Sequence, residues 1–303
     1  MLTIGILSFN RANALRRLLE SCVVIPNDLV REVIVCDDCS AFDVHELCNE
    51  FSDKLNTRVV RHSTNRGYAR NYLSLFAHCR TEWLMIVADD DLVDPDQVGR
   101  LTRTLSGSSS CFISSVYNRN GNLIRAFGAK GTIEVSQVFS AAAHASGLVY
   151  KLRDVSDALE ALTPSIEQGH LFSNTYPQVA LLCLLKMNIL TTQLCTYSGL
   201  APVIEGDNYP TGIRLTDELP YNSFKPRILQ ASSFYEFIKE HAGDEVIRDF
   251  EFLIEKNYLR ELLRSGSHRN QEASILYALS KMDLLSCLGL FLRSSFERVR
   301  RLW

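Results

Sequence analysis

The N-terminal third of the chain alternates short apolar runs with stretches of helical spacing, and few folds accept that alternation. Thr3–Ser8, Glu32–Cys36, Arg58–Arg61 and Trp83–Ala88 have strand length and strand composition. Between them, Asn13–Cys22, Asp43–Phe51 and Tyr68–Cys79 carry apolar residues three and four apart, with polar residues on another face. Asp94 stands where a helix N-cap belongs and Pro95 occupies the first helical position, so a further helix is predicted to about Leu105. Parallel strands need long crossovers, usually helical. The expected class is therefore α/β: a mostly parallel sheet with helices on both faces.

After "SGSSS" the pattern changes. Cys111–Tyr117 and a segment near Leu123 flank "NRNGN", which reads as a hairpin turn. Gly147–Lys151 is a short strand, Tyr176–Met187 an apolar helix, and a further strand lies near Leu190–Tyr197. From about Ile228 to Trp303 the pattern is helical throughout.

Composition removes several classes of function. The 303 residues carry a net charge of −3, without the basic excess of a general nucleic-acid binder, so no nucleic-acid partner is expected. Of the nine cysteines, Cys36 and Cys39 have C-x-x-C spacing, but no second pair or histidine pattern accompanies them. Free thiols in a reducing compartment are the expectation. "MLTIGILSFN" lacks the features of a signal peptide, and no apolar run reaches the roughly 20 residues of a membrane span. A cytoplasmic protein is expected.

The segment "LMIVADDDLVDPD", Leu84–Asp96, runs from a buried-type strand directly into Asp89, Asp90 and Asp91. Adjacent carboxylates at a strand end repel and are costly unless solvated or neutralised by a cation. Ligands of open parallel sheets bind beyond the carboxyl ends of the strands. The residues at those ends are Ser8 to Arg11, Asp37 to Ser40, "STNRGYARN" and the aspartate run. The glycine fingerprint for dinucleotides is absent, which disfavours a dehydrogenase. A nucleotidyltransferase is disfavoured because "SFNRANA" is not a glycine-rich basic loop.

Taken in order, "TIGILSFNR", "VIVCDDCS", "NRGYARN" and "ADDDLVDPD" resemble the glycosyltransferase family 2 domain with a GT-A fold. The resemblance covers residues 1 to 105 well and continues more weakly to about 200, where "SGLVYK" resembles an acceptor-side strand. It implies a GT-A type, Rossmann-like domain over 1–220, with a nucleotide-sugar half (about 1–110) and an acceptor half (about 111–220). The helical region 228–303 would follow it.

The resemblance also assigns roles. Phe9 falls where a nucleobase-stacking aromatic stands, and Asp38 on the carboxylate that accepts from the base ring N–H. Asp37 helps build the turn, and Arg70 matches an arginine at the nucleotide end. In the DXD motif, Asp90 falls on the metal-contacting aspartate and Asp89 on the neighbour facing ribose and sugar. Ala88 replaces the first aspartate of many members. The implied cofactor is Mg²⁺ or Mn²⁺. Asp94 and Asp96 read as helix-capping residues, and Asp91 as either capping or functional.

Inverting members carry an Asp or Glu base, often in a Glu-Asp pair, but "TPSIEQGHLFSNTYPQVALL" contains no such pair. Glu167 and His170 are the nearest candidates in that stretch, read as loop residues; Asp154 and Asp207 are weaker ones. The expectation is a metal-dependent inverting transferase moving a sugar from a UDP-sugar to a saccharide or lipid-linked saccharide, in bacterial surface polysaccharide synthesis. The alternative is a nucleotide-sugar-binding module without turnover. The C-terminal "LLSCLGLFLRSSFERVRRLW" admits two readings. It is either a closing helix or an interfacial helix giving peripheral contact with the inner surface of the membrane.

Overall fold

β1 (Leu2–Ser8) is buried along its whole length and pairs in parallel on both sides. In the computed structural model it lies inside the main sheet, between two parallel neighbours. The described residues are 1–105, 111–118, 123–125, 131–132, 138–142, 144–187, 195–205, 214–216, 219–220 and 224–241. The chain divides into two units, Met1–Tyr209 and Pro210–Trp303.

In the first unit β1 is followed by α1 (Ala12–Val23), β2 (Val30–Asp37), α2 (Val44–Asn49), β3 (Thr57–Arg61), α3 (Tyr68–His78) and β4 (Trp83–Ala88). Then come β5 (Leu92–Val93), α4 (Pro95–Thr104), β6 (Cys111–Asn118), β7 (Leu123–Arg125), β8 (Gly131–Thr132) and α5 (Val138–Ala142). β9 (Leu148–Lys151), α6 (Leu152–Glu167), α7 (Leu171–Thr175), α8 (Pro177–Met187) and β10 (Cys195–Glu205) complete it. The second unit contains β11 (Arg214–Thr216), β12 (Leu219–Pro220) and α9 (Phe224–His241).

The main sheet has the order β3-β2-β1-β4-β9-β6-β10-β5. β3, β2, β1 and β4 are mutually parallel. β9 then runs antiparallel between β4 and β6, and β6 and β10 are parallel to each other. Both faces of the parallel part are covered, which is why its strands read as continuous apolar runs. On one face Leu2, Ile4 and Ile6 join Leu15, Leu18, Val44, Leu47, Val98 and Leu101 in a single cluster. Each such aliphatic side chain contributes about 1.5–3 kcal/mol by burial. On the other face α3 lies close against β1. A Cβ at Gly5 would be 2.8 Å from Leu84 Cδ1 and 3.0 Å from Leu75 Cδ2.

The sequence periods located the first four strands, their helices and β6, β9 and α8. Asp94 caps α4 as expected, accepting from Gln97 N at 3.0 Å. The loop reading around Glu167 is corrected: α6 spans Leu152–Glu167, so Glu167 is its last helical residue. The helical signal was present as buried Val155, Ala158, Leu162 and Ile166, but Pro164 obscured it, since proline disfavours helix interiors. The helix stops where Gly169 takes φ +79°, with Gly169 N donating to Ile166 O at 3.1 Å and His170 N to Ser165 O at 3.0 Å. Among the described residues no helix is long and apolar enough to cross a membrane. Asp207 and the C-terminal stretch with Arg293 and Trp303 lie outside the described residues.

The most confined backbone lies just before β9. Gly147 has φ +78°, and a Cβ there would sit 2.2 Å from Ser114 Oγ and 3.0 Å from Arg125 Nη2. Gly147→Ala combines backbone strain with overpacking, so it should lower unfolding free energy by about 2–4 kcal/mol, measured by urea denaturation.

Candidate active site

Strand register builds the site. Ser8 stands opposite Asp37, and Leu7 opposite Ala88, so the ends of β1, β2 and β4 are level. Two further backbone bonds extend the alignment past the strands: Asp38 N donates to Ser8 O at 3.0 Å and Asp89 N to Leu7 O at 3.2 Å. Phe9, Asp38 and Asp89 therefore emerge side by side at the carboxyl edge of the sheet.

The β1 end is fixed by Asn10, whose φ of +56° is a conformation asparagine accepts better than most residues. Its N–H donates to Ser40 Oγ at 2.8 Å, and its Oδ1 accepts from Ala41 N at 2.7 Å, fastening this turn to the one after β2. That second turn is held by fully buried Asp37, which accepts from Ser40 N at 3.2 Å and from Ser40 Oγ. Phe9, by contrast, is 41 % exposed.

Asp38 is buried and accepts from Arg66 N at 2.7 Å and Gly67 N at 2.9 Å. It thus ties the β2 end to the loop before α3, a structural part that the sequence did not reveal. A carboxylate has about four lone-pair sites, so two bonds leave capacity for another donor. Gly67 sits at φ +84°, as the N-cap of α3. Arg70, one turn into α3, reaches across to the end of α6, with Nη2 3.5 Å from Glu167 O.

The aspartate run separates into three environments. Asp89 is buried, accepts from Phe9 N at 3.2 Å and pairs with Arg11 Nη1 at 2.9 Å. The same Arg11 Nη1 lies 2.9 Å from Asp90 Oδ2, whose side chain is 23 % exposed. Burial raises the Asp89 carboxyl to about 6; Arg11 opposes the shift and Asp90 adds to it. Asp91 is buried and turned another way, accepting from Ser146 Oγ, with His144 Nε2 3.6 Å from its Oδ2. Ser146 Oγ also accepts from Ala88 N at 2.8 Å. Asp91 therefore braces the strand end from beneath.

That brace rests on a buried cation. Arg125 donates to four carbonyls: Ser114 at 2.7 Å, Ala141 at 3.0 Å, His144 at 2.7 Å and Ser146 at 2.6 Å. Burial pushes its guanidinium down to about 10. The sequence offered no route to this role, because every partner is backbone.

Of the two candidate bases, the Glu167 side chain is exposed, while His170 is partly buried at the N-cap of α7. His170 Nδ1 lies 3.3 Å from Ser173 Oγ, which is 2.7 Å from Ser165 Oγ. Arg11 was visible in the sequence only as a residue past the first strand. The missed signal was a cation at a helix N-terminus, where the macrodipole favours anions.

Residues 3–149 match the model of glycosyl transferase family 2. Over those residues the chain is similar to the family 2 glycosyl transferases. Its fold is that of the GT-A glycosyltransferases. A fragment of S. aureus TarS in complex with UDP-GlcNAc superimposes with a TM-score of 0.60 at 14% identity, covering 86% of this chain and 72% of that one. A mannosyltransferase from Pyrobaculum calidifontis, PcManGT, in complex with GDP-Man and Mn²⁺, gives 0.54 at 15% identity, covering 97% and 79%. No curated protein matches the sequence significantly.

The transferase domain holds Asp89 at a cost that pH reveals. Its folded value of about 6 lies above the ordinary 3.8. The folded state therefore takes up the proton first, and wild-type stability rises as pH falls through that window. In EDTA near pH 8, Asp89→Asn should be more stable than wild type by about 1–3 kcal/mol. The difference should shrink between about pH 6 and pH 4. Urea unfolding of both proteins across that range checks it.

Proposed function

We propose that the domain transfers a sugar, with inversion, from a nucleotide-sugar to a hydroxyl of a saccharide or lipid-linked saccharide, assisted by Mg²⁺ or Mn²⁺. The observation that carries this reading is the single Arg11 nitrogen lying 2.9 Å from both Asp89 Oδ1 and Asp90 Oδ2. Two carboxylates already converge on one cationic centre at the ligand-binding edge of the sheet.

The donor set fits a hard divalent cation. Among the described residues no group of three or more His, Cys, Asp or Glu side chains forms a protein-only cage. Mg²⁺-type sites in phosphate-transferring enzymes commonly use one or two carboxylates and take their remaining ligands from phosphate and water. Asp90, the more exposed of the pair, would hold the metal, and Asp89 would face the ribose and sugar. When bound, the cation offsets the charge that develops on the leaving diphosphate.

Around it the chain's own groups position the donor. The Phe9 ring stacks on the base, and the spare acceptor capacity of Asp38 takes the ring N–H. Uracil meets that demand, and the UDP-GlcNAc in the TarS structure supports a UDP-sugar donor; guanine meets it equally. Arg70 guards the nucleotide end.

In the transfer, the acceptor oxygen bonds to the anomeric carbon as the bond from that carbon to the diphosphate oxygen breaks. The nucleoside diphosphate leaves with the electron pair, and the acceptor proton passes to a base. Of Glu167 and His170, we take as that base His170, which is partly buried with Nδ1 3.3 Å from Ser173 Oγ, over the exposed Glu167. The saccharide setting follows from the family resemblance, with surface polysaccharide synthesis as its natural place.

Release of nucleoside diphosphate from a panel of nucleotide-sugars, with acceptor and Mn²⁺, tests the reading. Asp90→Asn should cut metal-dependent release by about a hundredfold or more. His170→Asn should lower kcat with little change in donor KM, whereas Glu167→Gln should leave both near wild type. Tight donor binding with no release from any sugar would favour the binding-module alternative.

A further inference from the structure

We infer that Arg11 is a displaceable counter-cation of the Asp89–Asp90 pair: it occupies the pair in the empty enzyme and yields it when metal and nucleotide enter together. The inference rests on the metal site proposed above and concerns how that site is filled.

Three observations carry it. Arg11 Nη1 lies 2.9 Å from Asp90 Oδ2 as well as from Asp89 Oδ1, so a cation bound at Asp90 must displace it. Its side chain is 28 % exposed, which leaves it room to move. It is also the N-cap residue of α1, and its side chain makes no capping bond there. A cation at that helix end is disfavoured by the macrodipole. The carboxylates hold Arg11 in place, and whatever neutralises them releases it.

Arg125 is the contrast within the same domain. Its guanidinium is buried and held by four carbonyls, which makes it a fixed brace. Arg11 has anionic partners and a path to solvent.

The consequence is an order of binding. Alone, a divalent cation has to expel a positive charge from between two carboxylates into water. When a nucleoside diphosphate arrives with the metal, the released guanidinium gains a new anionic partner in the diphosphate, to which arginine binds bidentately. Metal affinity is thereby coupled to nucleotide, and Arg11 becomes a positioning residue for the leaving group. Because linkage is reciprocal, metal strengthens nucleotide binding by the same factor.

The test is Mn²⁺ binding, followed by the electron paramagnetic resonance signal of free Mn²⁺, for wild type, Arg11→Gln and Arg11→Lys, with and without UDP. Wild type should bind Mn²⁺ weakly alone and much more tightly with UDP. Arg11→Gln should bind Mn²⁺ alone about tenfold more tightly than wild type or better, with a smaller gain on adding UDP. Arg11→Lys should stay close to wild type. A damaged fold would weaken Mn²⁺ binding, so the expected gain is not a structural side effect. If UDP still promotes Mn²⁺ binding but Arg11→Gln leaves the Mn²⁺-alone affinity unchanged or lower, the counter-cation role is wrong and the metal site stands. If no form binds Mn²⁺ even with UDP, the metal site itself is wrong and the inference falls with it.

Discussion

Level pairing of β1 with β2 and with β4 is the constraint on which the site depends. A parallel sheet brings successive strand ends to one edge, but only matched register brings particular residues together. Here Ser8–Asp37 and Leu7–Ala88 are opposite pairs. A shift of one residue would turn each apolar set to the wrong face and carry the aspartates with it. The core holds the register, since Ile4, Ile6, Val33, Val35, Met85 and Val87 belong to one cluster on one face. The packing that stabilises the domain therefore also places Phe9, Asp38 and Asp89.

That edge concentrates negative charge in a partly desolvated place, and the chain answers it in two ways. Arg11 meets Asp89 and Asp90 directly, with carboxylate partners and partial exposure. Arg125 lies beneath, bonded to carbonyls, and shapes the segment whose Ser146 holds Asp91. The first arrangement is partly open to solvent and the second is closed off from it. Burial raises the Asp89 carboxyl and Arg11 opposes the shift.

Much of this was legible in the sequence. Period-two and helical spacing gave the parallel half-sheet, because strands buried on both faces and amphipathic crossovers leave distinct patterns. The Asp94 cap was legible because a capping carboxylate followed by proline has one common use. At the site the sequence ranked strand-end residues by chemistry, and the register does bring Phe9, Asp38 and Asp89 to one edge. The rest depended on contacts between segments distant in sequence: Arg11 with Asp89, Asp38 with the amides of Arg66 and Gly67, and Arg125 with four carbonyls. The helix α6 was hidden by Pro164, although its buried positions keep helical spacing. That concealment made Glu167 look like a loop residue.

The most direct test of the account is a crystal structure of the chain with UDP and Mn²⁺. The uracil ring should lie on the Phe9 face with its ring N–H at Asp38, and Mn²⁺ should be bound by Asp90 and the diphosphate, with Arg11 moved off the acidic pair. UDP bound away from the β1–β2–β4 edge, or Mn²⁺ held by residues other than Asp89 and Asp90, would contradict it.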